Sequence, residues 1–454
     1  MDTTVGRAST HPGVPSASRR DVRTFSVVWM GQTVSLLGSS MSGFALGVWV
    51  FLETGSAISF ALTLLLNMLP KALLGPVAGV WADRHDRRRI LILTDLVAGL
   101  ATASAAVLFL GGRLSVWHVY VLTAWNAAAS ALQAPAFGAA VTQLVPKERF
   151  GRANGMLQLG EAAAQIGAPI LAGAMMAPLG LMAILLTDLA TFLFAVSTLL
   201  WAHFPALLTA EPGKGIDHSS LLSRIGEAVA YLRVRPGLGG MLVTFAMVNF
   251  FVGVAEAGLT PMVLQFATPH VLGVIMTVGG LGMLVGSLVF TATGGGRRKV
   301  LVVFGAYALL SIGVVLAGLR PYPVLVGAAV FVAFVALPTV MGGSQTILQA
   351  KVAPMVQGRV FGLRMAVNTF AFAVAYLLSG LLADRVFEPF MASSSRLASL
   401  LGQVIGFGPG RGIGLLFVAT GILAMGTALS AFVSPRIRQI ETELPDAVPD
   451  GIGR

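Results

Sequence analysis

The sequence predicts an all-α membrane protein with twelve transmembrane helices in two pseudo-symmetric bundles of six. Hydrophobic residues make up 56% of the 454 residues, and charged residues only 11%. A soluble chain of this length needs far more charge to keep its surface hydrated. A helix that crosses the hydrocarbon core takes about 20 apolar residues, and roughly twelve such runs are present. An internal repeat, described below, divides these runs into two halves.

The apolar runs set the expected organisation of the chain. The expected spans are 24–52, 56–82, 89–111, 115–145, 152–178, 180–202, 238–264, 269–293, 299–319, 322–350, 357–387 and 410–433. The expected divisions are a disordered cytoplasmic tail (1–22), an N-terminal six-helix bundle (23–203), a cytoplasmic linker (204–236), a C-terminal six-helix bundle (237–434) and a cytoplasmic tail (435–454). Within the linker, residues 219–235 suit an amphipathic helix at the membrane surface or an ordinary linker helix.

The basic residues predict the orientation of the chain. Its net charge is +11, and about 24 of its 30 Lys and Arg residues fall on one side of the expected spans. This positive-inside bias predicts cytoplasmic termini and anionic lipid headgroups as the natural partner of the charge, so nucleic acid is not required as a partner. The abundance of Arg, Ala and Gly indicates a bacterial protein, here of the plasma (inner) membrane.

Composition and motifs also exclude several kinds of chemistry. With no cysteine, the chain has neither disulfides nor thiolate metal sites. It contains no phosphate-binding loop of the Gly-x-x-x-x-Gly-Lys-Ser/Thr type and no cluster of its six His residues. We therefore expect no enzymatic activity, no metal and no cofactor, and an ion gradient, of protons, as the energy source. The expected partners are a small-molecule substrate and membrane lipid, with the chain acting as a monomer.

A group of charges between the second and third spans stands out. Residues 83–89 are seven consecutive ionisable side chains between two long apolar runs. The halves also repeat, because Gly151-Arg152 and Gly155 in the first half correspond to Gly358-Arg359 and Gly362 in the second. Such internal repeats are typical of secondary transporters.

The motif Gly79-x-x-x-Asp83-Arg84-x-x-Arg87-Arg88 resembles the signature loop of the major facilitator superfamily. The segment 83–89 is similar to the corresponding segment of macrolide and siderophore exporters. Residues 167–173 are similar to the family's antiporter motif, with Ala at two of its Gly positions. The resemblance implies the major facilitator fold and export. It also implies a conformational latch, made of Gly79, Asp83, Arg84, Arg87, Arg88 and Asp95.

In that latch, Asp83 is expected to meet the start of the eleventh span near Gly358, where free N–H groups favour an anion. One of the arginines at 84, 87 or 88 is expected to pair with Asp95 and hold the shape of the loop.

Ionisable groups at membrane depth are the candidates for proton coupling, because burying a charge in lipid costs at least a few kcal/mol. These candidates are Glu161, Glu256 and Asp188, the last with a structural role as the stronger alternative. Glu161 lies near mid-membrane on a polar stripe. For Lys71, three interpretations stay open: pairing with a carboxylate, holding an anionic substrate, or extending toward the interface.

Polar residues at helical spacing on several spans predict the wall of a central cavity. The candidates are Gln32, Ser35, Ser39, Asn126, Gln133, Gln158, Gln165, Asn249, Gln345, Gln349 and Asn368. Each is individually also explained as a hydrogen bond between packed helices. Near the outer mouth, Asp384, Arg385 and Arg411 suit either a charged gate or ordinary solvation of helix ends.

The function predicted from these features is export of a small amphipathic compound, such as an antibiotic, siderophore or peptide-like metabolite, by proton antiport and alternating access. Two alternatives remain at this point. One is an importer of a nutrient or lysolipid on the same fold, and the other is a non-transporting membrane scaffold or sensor.

Overall fold

A computed structural model describes residues 19–145, 149–202, 221–293, 298–438 and 440. Both predicted tails lie almost entirely outside this described part, as does most of the predicted linker. The described residues are helical apart from short turns, and ten of their helices are long and apolar enough to cross a membrane. An all-α membrane fold is thereby confirmed.

The helices follow the predicted runs closely. They are α1 (Arg19–Thr54), α2 (Ala57–Arg84), α3 (Arg87–Leu110), α4 (Val116–Leu144), α5 (Phe150–Trp201), α6 (Leu221–Arg233), α7 (Pro236–Leu264), α8 (Pro269–Thr293), α9 (Lys299–Leu319), α10 (Pro323–Lys351), α11 (Pro354–Leu382), α12 (Glu388–Ala392), α13 (Arg396–Ile405), α14 (Arg411–Val433) and α15 (Pro435–Arg438). A five-residue π-helical segment, Ala383–Phe387, joins α11 to α12.

The expected fifth and sixth spans are joined end to end as α5, with no loop between them. The helix is interrupted at Gly180, whose φ of 72° and ψ of −178° lie outside the helical region. A positive φ is easily reached only by glycine, since it lacks a Cβ atom. Gly180 therefore separates two helical segments of α5 at the position where hydropathy predicted a break between the fifth and sixth spans.

The long helices pack as two groups, which we name the N-terminal group (α1–α5) and the C-terminal group (α7–α11 and α14). In the first, α1 packs on α5, and α4 packs on α2 and α3. In the second, α10 packs on α8 and α9, while α14 packs on α7 and α9. The groups meet mainly where α5 crosses α8 and α2 crosses α11. We name these two contact regions the seams, and any central path must run between them.

The seams are closed at one end of the helices. There Gly173 of α5 meets Gly273 of α8, and Gly380 of α11 meets Ile58 of α2, each so closely that an added Cβ would lie under 3.0 Å from backbone. We name the other end, where α2 joins α3, the basic end. Toward it, a Cβ added at Gly75 or Gly358 would meet nothing within 4 Å. The space between the groups thus opens at the basic end.

The helix in the central linker packs on protein. Ala228 and Leu232 of α6 are buried in the core cluster of the C-terminal group. Glu227 of α6 forms an ion pair with Arg359 at the start of α11. The apolar side of this amphipathic helix is therefore largely used by the C-terminal group, which leaves its polar side at the surface.

Candidate functional site

A ladder of contacts between α7 and α11 lines one wall of the space between the groups. From the basic end outward, Phe245 lies beside Arg364, and Asn249 Nδ2 donates to Asn368 Oδ1 at 3.2 Å. One turn further, Gly253 has no side chain, which leaves room for Phe372 of α11. Residues four apart on each helix share a face, so the two stripes stay in register. Two predicted cavity residues, Asn249 and Asn368, are thus brought together.

Glu256 is the acidic group at the outer end of this ladder. Its side chain is exposed, although Ala255 and Ala257 beside it are 7% and 1% exposed. It interacts with Tyr376 of α11, which packs with Ala257 and with Ala61 of α2. A carboxylate in lipid would be very costly, so its accessible surface belongs to the space between the groups. This places Glu256 beside the contacts that close the outer end.

Arg364, at the opposite end of the ladder, was not among the predicted site residues. Its guanidinium donates from Nη1 to Gln345 Oε1 at 2.9 Å and from Nη2 to Ser344 Oγ at 2.8 Å. The guanidinium carbon lies 5.9 Å from the centre of the buried Phe245 ring. The sequence did hold a signal for it, because it is the eleventh residue of the 29-residue α11 and so lies at membrane depth. From the sequence alone, it entered only the count of basic residues that predicts the orientation.

The predicted polar stripe of α5 is present on an accessible face. Gln158, Glu161 and Gln165 are all exposed, whereas Gly160 and Ala164 of the same helix are buried toward α1. Among the described residues, no hydrogen bond or ion pair is formed by the Glu161 side chain. Its carboxylate is therefore available to solvent or to a ligand.

Asp95 is held by two glutamines, and of the three arginines predicted to pair with it, Arg88 contacts other groups. Gln133 Nε2 donates to Asp95 Oδ1 at 2.6 Å and to Gln32 Oε1 at 2.7 Å, while Gln32 Nε2 donates to Asp95 Oδ2 at 2.8 Å. Asp95 lies two turns inside α3 and faces α1 and α4. Arg88 instead donates to the carbonyls of Leu199 and Leu200 at the end of α5, where free carbonyls attract a cation.

Asp188 lies in the interior of the N-terminal group. It is 1% exposed and accepts from Thr102 Oγ1 at 2.8 Å and from Ser39 Oγ at 3.1 Å. These bonds tie the second half of α5 to α1 and α3. Ser39, predicted as a cavity residue, is engaged in this internal contact.

Three further predicted cavity residues differ in their exposure. Ser35 is buried, Asn126 is half-buried and the Gln349 side chain is exposed. The side chains of Gly79, Asp83 and Arg84 lie outside the part of the chain that the structure describes. The predicted latch at that position accordingly stays a prediction.

At the outer end, Asp384 joins the two groups. Its carboxylate accepts from Ser56 Oγ at 2.7 Å and from the backbone N–H groups of Ala57 and Ile58, each at 3.0 Å. It therefore caps the N-terminus of α2, where free N–H groups and the helix dipole favour an anion. Beside it lies a cavity of about 340 Å³, lined by Phe51, Gly55, Ser56, Ala57, Gln265, Asp384, Glu388, Pro409 and Ile413.

The neighbouring Glu388 makes a similar cap inside the C-terminal group. Its Oε1 accepts from the backbone N–H of Ile413, in the first turn of α14, at 3.0 Å. Arg411 is 1% exposed and donates to the Ile405 carbonyl at 3.3 Å. Of the two interpretations of Asp384, Arg385 and Arg411, the contacts of Asp384 agree with capping of a helix end, and Arg411 donates to a backbone carbonyl.

Comparison with known proteins agrees with this architecture. Macrolide efflux protein A of Streptococcus pyogenes is 28% identical over 370 residues, which cover 80% of this chain and 90% of that protein. The enterobactin exporter EntS of Shigella flexneri is 24% identical over 388 residues, 83% of this chain and 89% of that protein. Both relatives are named as exporters.

Solved structures share the fold. A bacterial homologue of the lysosomal transporter Spinster, in an inward-facing and unoccupied conformation, has a TM-score of 0.63 at 16% identity and covers 92% of this chain and 99% of its own. A bacterial homologue of the iron transporter ferroportin has a TM-score of 0.64 at 16% identity, over 90% and 98% of the two chains. The profile of the Major Facilitator Superfamily matches residues 28–375. The chain therefore belongs to the major facilitator superfamily.

Proposed function

We propose that this membrane transporter exports a small amphipathic compound across the bacterial plasma membrane by proton antiport and alternating access. As a member of its family it is a transport protein and not an enzyme. The proposal counts twelve spans in two six-helix bundles, with α5 contributing two spans around Gly180. The exporters among its relatives support the outward direction and suggest a macrolide-like or siderophore-like compound as the substrate.

The observation that carries the coupling part of this proposal is the accessible carboxylate of Glu256 beside the closed outer end. An antiporter needs an acid that takes up a proton on one side and releases it on the other. The basic end is then cytoplasmic, so the described conformation faces inward. Glu161, on the accessible face of α5, is the second candidate for the same role.

Replacing Glu256 with Gln is expected to lower proton-coupled transport about tenfold while leaving the protein folded, because the amide keeps the shape of the side chain but cannot titrate. The measurement is substrate-driven proton movement in proteoliposomes of the full chain, with a macrolide and enterobactin as probes. Energised inverted vesicles give the direction, since only an exporter accumulates the probe inside them.

Glu161→Gln is measured in parallel, and Glu53→Gln serves as the matched control, since it removes an exposed carboxylate at the outer end of α1. Normal coupling in both Glu256→Gln and Glu161→Gln would remove these residues from the mechanism. Accumulation in right-side-out vesicles alone would favour an importer. No flux in the wild type would favour a scaffold or sensor.

The latch at the basic end belongs to the same proposal. Asp83→Asn is expected to slow transport severalfold without weakening substrate binding, because the contact of Asp83 with the start of α11 would stabilise only the outward-facing state. Transport rate and equilibrium binding of a macrolide are compared in one preparation. A variant that loses binding but exchanges conformations normally would contradict the latch.

A further inference from the structure

Two basic side chains at membrane depth, Lys71 and Arg364, have no acidic partner among the described residues. Lys71 Nζ donates to Asn67 Oδ1 at 2.9 Å, and Arg364 donates to Gln345 and Ser344. All three partners are neutral. A cation in the membrane interior is costly unless an anion or water compensates it, so each of these charges requires an explanation.

The acids at membrane depth do not provide that compensation. Asp95 is engaged by two glutamines and Asp188 by a serine and a threonine, while Glu256 interacts with Tyr376. The Glu161 side chain on α5 forms neither a hydrogen bond nor an ion pair among the described residues. None of these carboxylates forms an ion pair with Lys71 or Arg364 in the described part of the chain. The fold thus keeps its interior acids and its two interior cations apart.

The two cations come from different groups but lie at the same depth. Gly380 of α11 meets Ile58 of α2, and Tyr376 packs with Ala61, so the two helices run antiparallel in this register. When this register is continued along both helices, the levels of Lys71 and Arg364 differ by two or three residues. That difference is about 3–5 Å along the helix axis. This level is about halfway along α2, on the open side of the seam.

Both side chains border accessible space. Lys71 is exposed. It lies seven residues after Leu64 and three residues after Met68, so it shares the face of α2 with which these two residues pack toward α11 and α7. Arg364 is half-buried, and its guanidinium lies over the buried ring of Phe245, whose centre is 5.6 Å from that of the buried Tyr307 ring. An aromatic ring beneath a fixed guanidinium, together with an ammonium group whose hydrogen-bond acceptor is a neutral amide, suits an anion attached to an apolar body.

We propose that Lys71 and Arg364 form a binding site for the anionic group of the transported compound, with one cation supplied by each helix group. This inference rests on the proposed transport route and names its substrate class as amphipathic anions, such as carboxylates. An anion between the two groups would also draw them together, which is the motion that closes the basic end.

The test uses the purified full chain and three probes that share one fluorophore: dansylglycine (anionic), dansylamide (neutral) and dansylcadaverine (cationic). Lys71→Gln and Arg364→Gln are each expected to weaken dansylglycine binding about tenfold, and the double variant about a hundredfold, since each removes one charge-assisted contact. The affinities for the neutral and cationic probes are expected to stay unchanged or to increase. Lys71→Arg and Arg364→Lys should retain dansylglycine binding.

Arg320→Gln is the matched control, because it removes a cation at the outer end and should leave all three affinities unchanged. Unchanged dansylglycine binding in both glutamine variants would overturn the site. Equal weakening of all three probes would also overturn it, because that result indicates a structural role. If dansylglycine binding depends on the two charges but dansylglycine does not accumulate in energised inverted vesicles, the site would stand and export would be rejected. Export of dansylglycine at full rate by the double variant would keep export and reject the site.

Discussion

Gly173→Val is expected to lower transport at least about fivefold by holding α5 away from α8 at the outer end. A Cβ at residue 173 would lie 2.7 Å from the Gly273 Cα and 3.1 Å from the Pro269 carbonyl oxygen. Both neighbours are backbone atoms that cannot move aside without shifting α8. Overpacking of this kind costs typically about 1–3 kcal/mol, which changes a two-state equilibrium by roughly five- to 150-fold.

The crossing of α5 and α8 lies between the two groups, so the strain falls on the state that is closed at the outer end. The variant should therefore favour the state that is open there, while each group keeps its own fold. Because the chain has no cysteine, paired spin labels can be introduced without background, for example at Thr54 and Ser394, which are exposed at the outer end. We expect their distance to increase in Gly173→Val.

Gly305→Val provides the matched control for this experiment. Gly305 is exposed on α9, and a Cβ there would meet nothing within 4 Å. This variant should retain both transport and the spin-label distance. Should Gly173→Val behave like Gly305→Val, the close approach of α5 and α8 would have no part in alternating access.

The sequence predicted the positions of the long helices well, because a membrane span is defined by a run of apolar residues that tertiary contacts do not alter. The break that hydropathy placed between the fifth and sixth spans coincides with the non-helical residue Gly180. What hydropathy did not show is that a single glycine makes this break without a loop, because glycine is too common here for one position to stand out.

Pairings between side chains were harder to predict. The position of Asp95 two turns into α3 placed it within reach of the loop arginines, but its partner depends on which helix it faces, and the facing residues are glutamines of α1 and α4. Arg364 was counted only as one of the basic residues in the charge bias. In both cases the missing information was the rotation of a helix about its axis, which hydropathy does not specify for spans that are apolar on most sides.

Asp384→Ala is expected to shift the conformational equilibrium toward the outward-open state by about 2–4 kcal/mol, or roughly 30- to 1000-fold. The carboxylate accepts three hydrogen bonds across the seam, from Ser56 Oγ and from the N–H groups of Ala57 and Ile58. Because these bonds join the two groups, we expect them to break when the outer end opens. Their loss in the variant leaves the N-terminus of α2 without its anionic cap in the closed state alone.

The same spin-label pair at Thr54 and Ser394 measures the shift, and transport is expected to fall because the inward-facing state becomes rare. Asp384→Asn should give an intermediate result, as the amide oxygen still accepts but the charge is lost.

Glu388→Gln is the control, because this cap joins α12 to α14 within one group. It should change thermal stability more than the spin-label distance. An unchanged distance in Asp384→Ala would show that the glycine seams alone close the outer end.

If the proposed contact of Asp83 also holds, α2 and α11 each end in an aspartate that caps the start of the other. The transporter would then exchange one cap for the other in every cycle, and removing both should leave the two states less distinct than removing either.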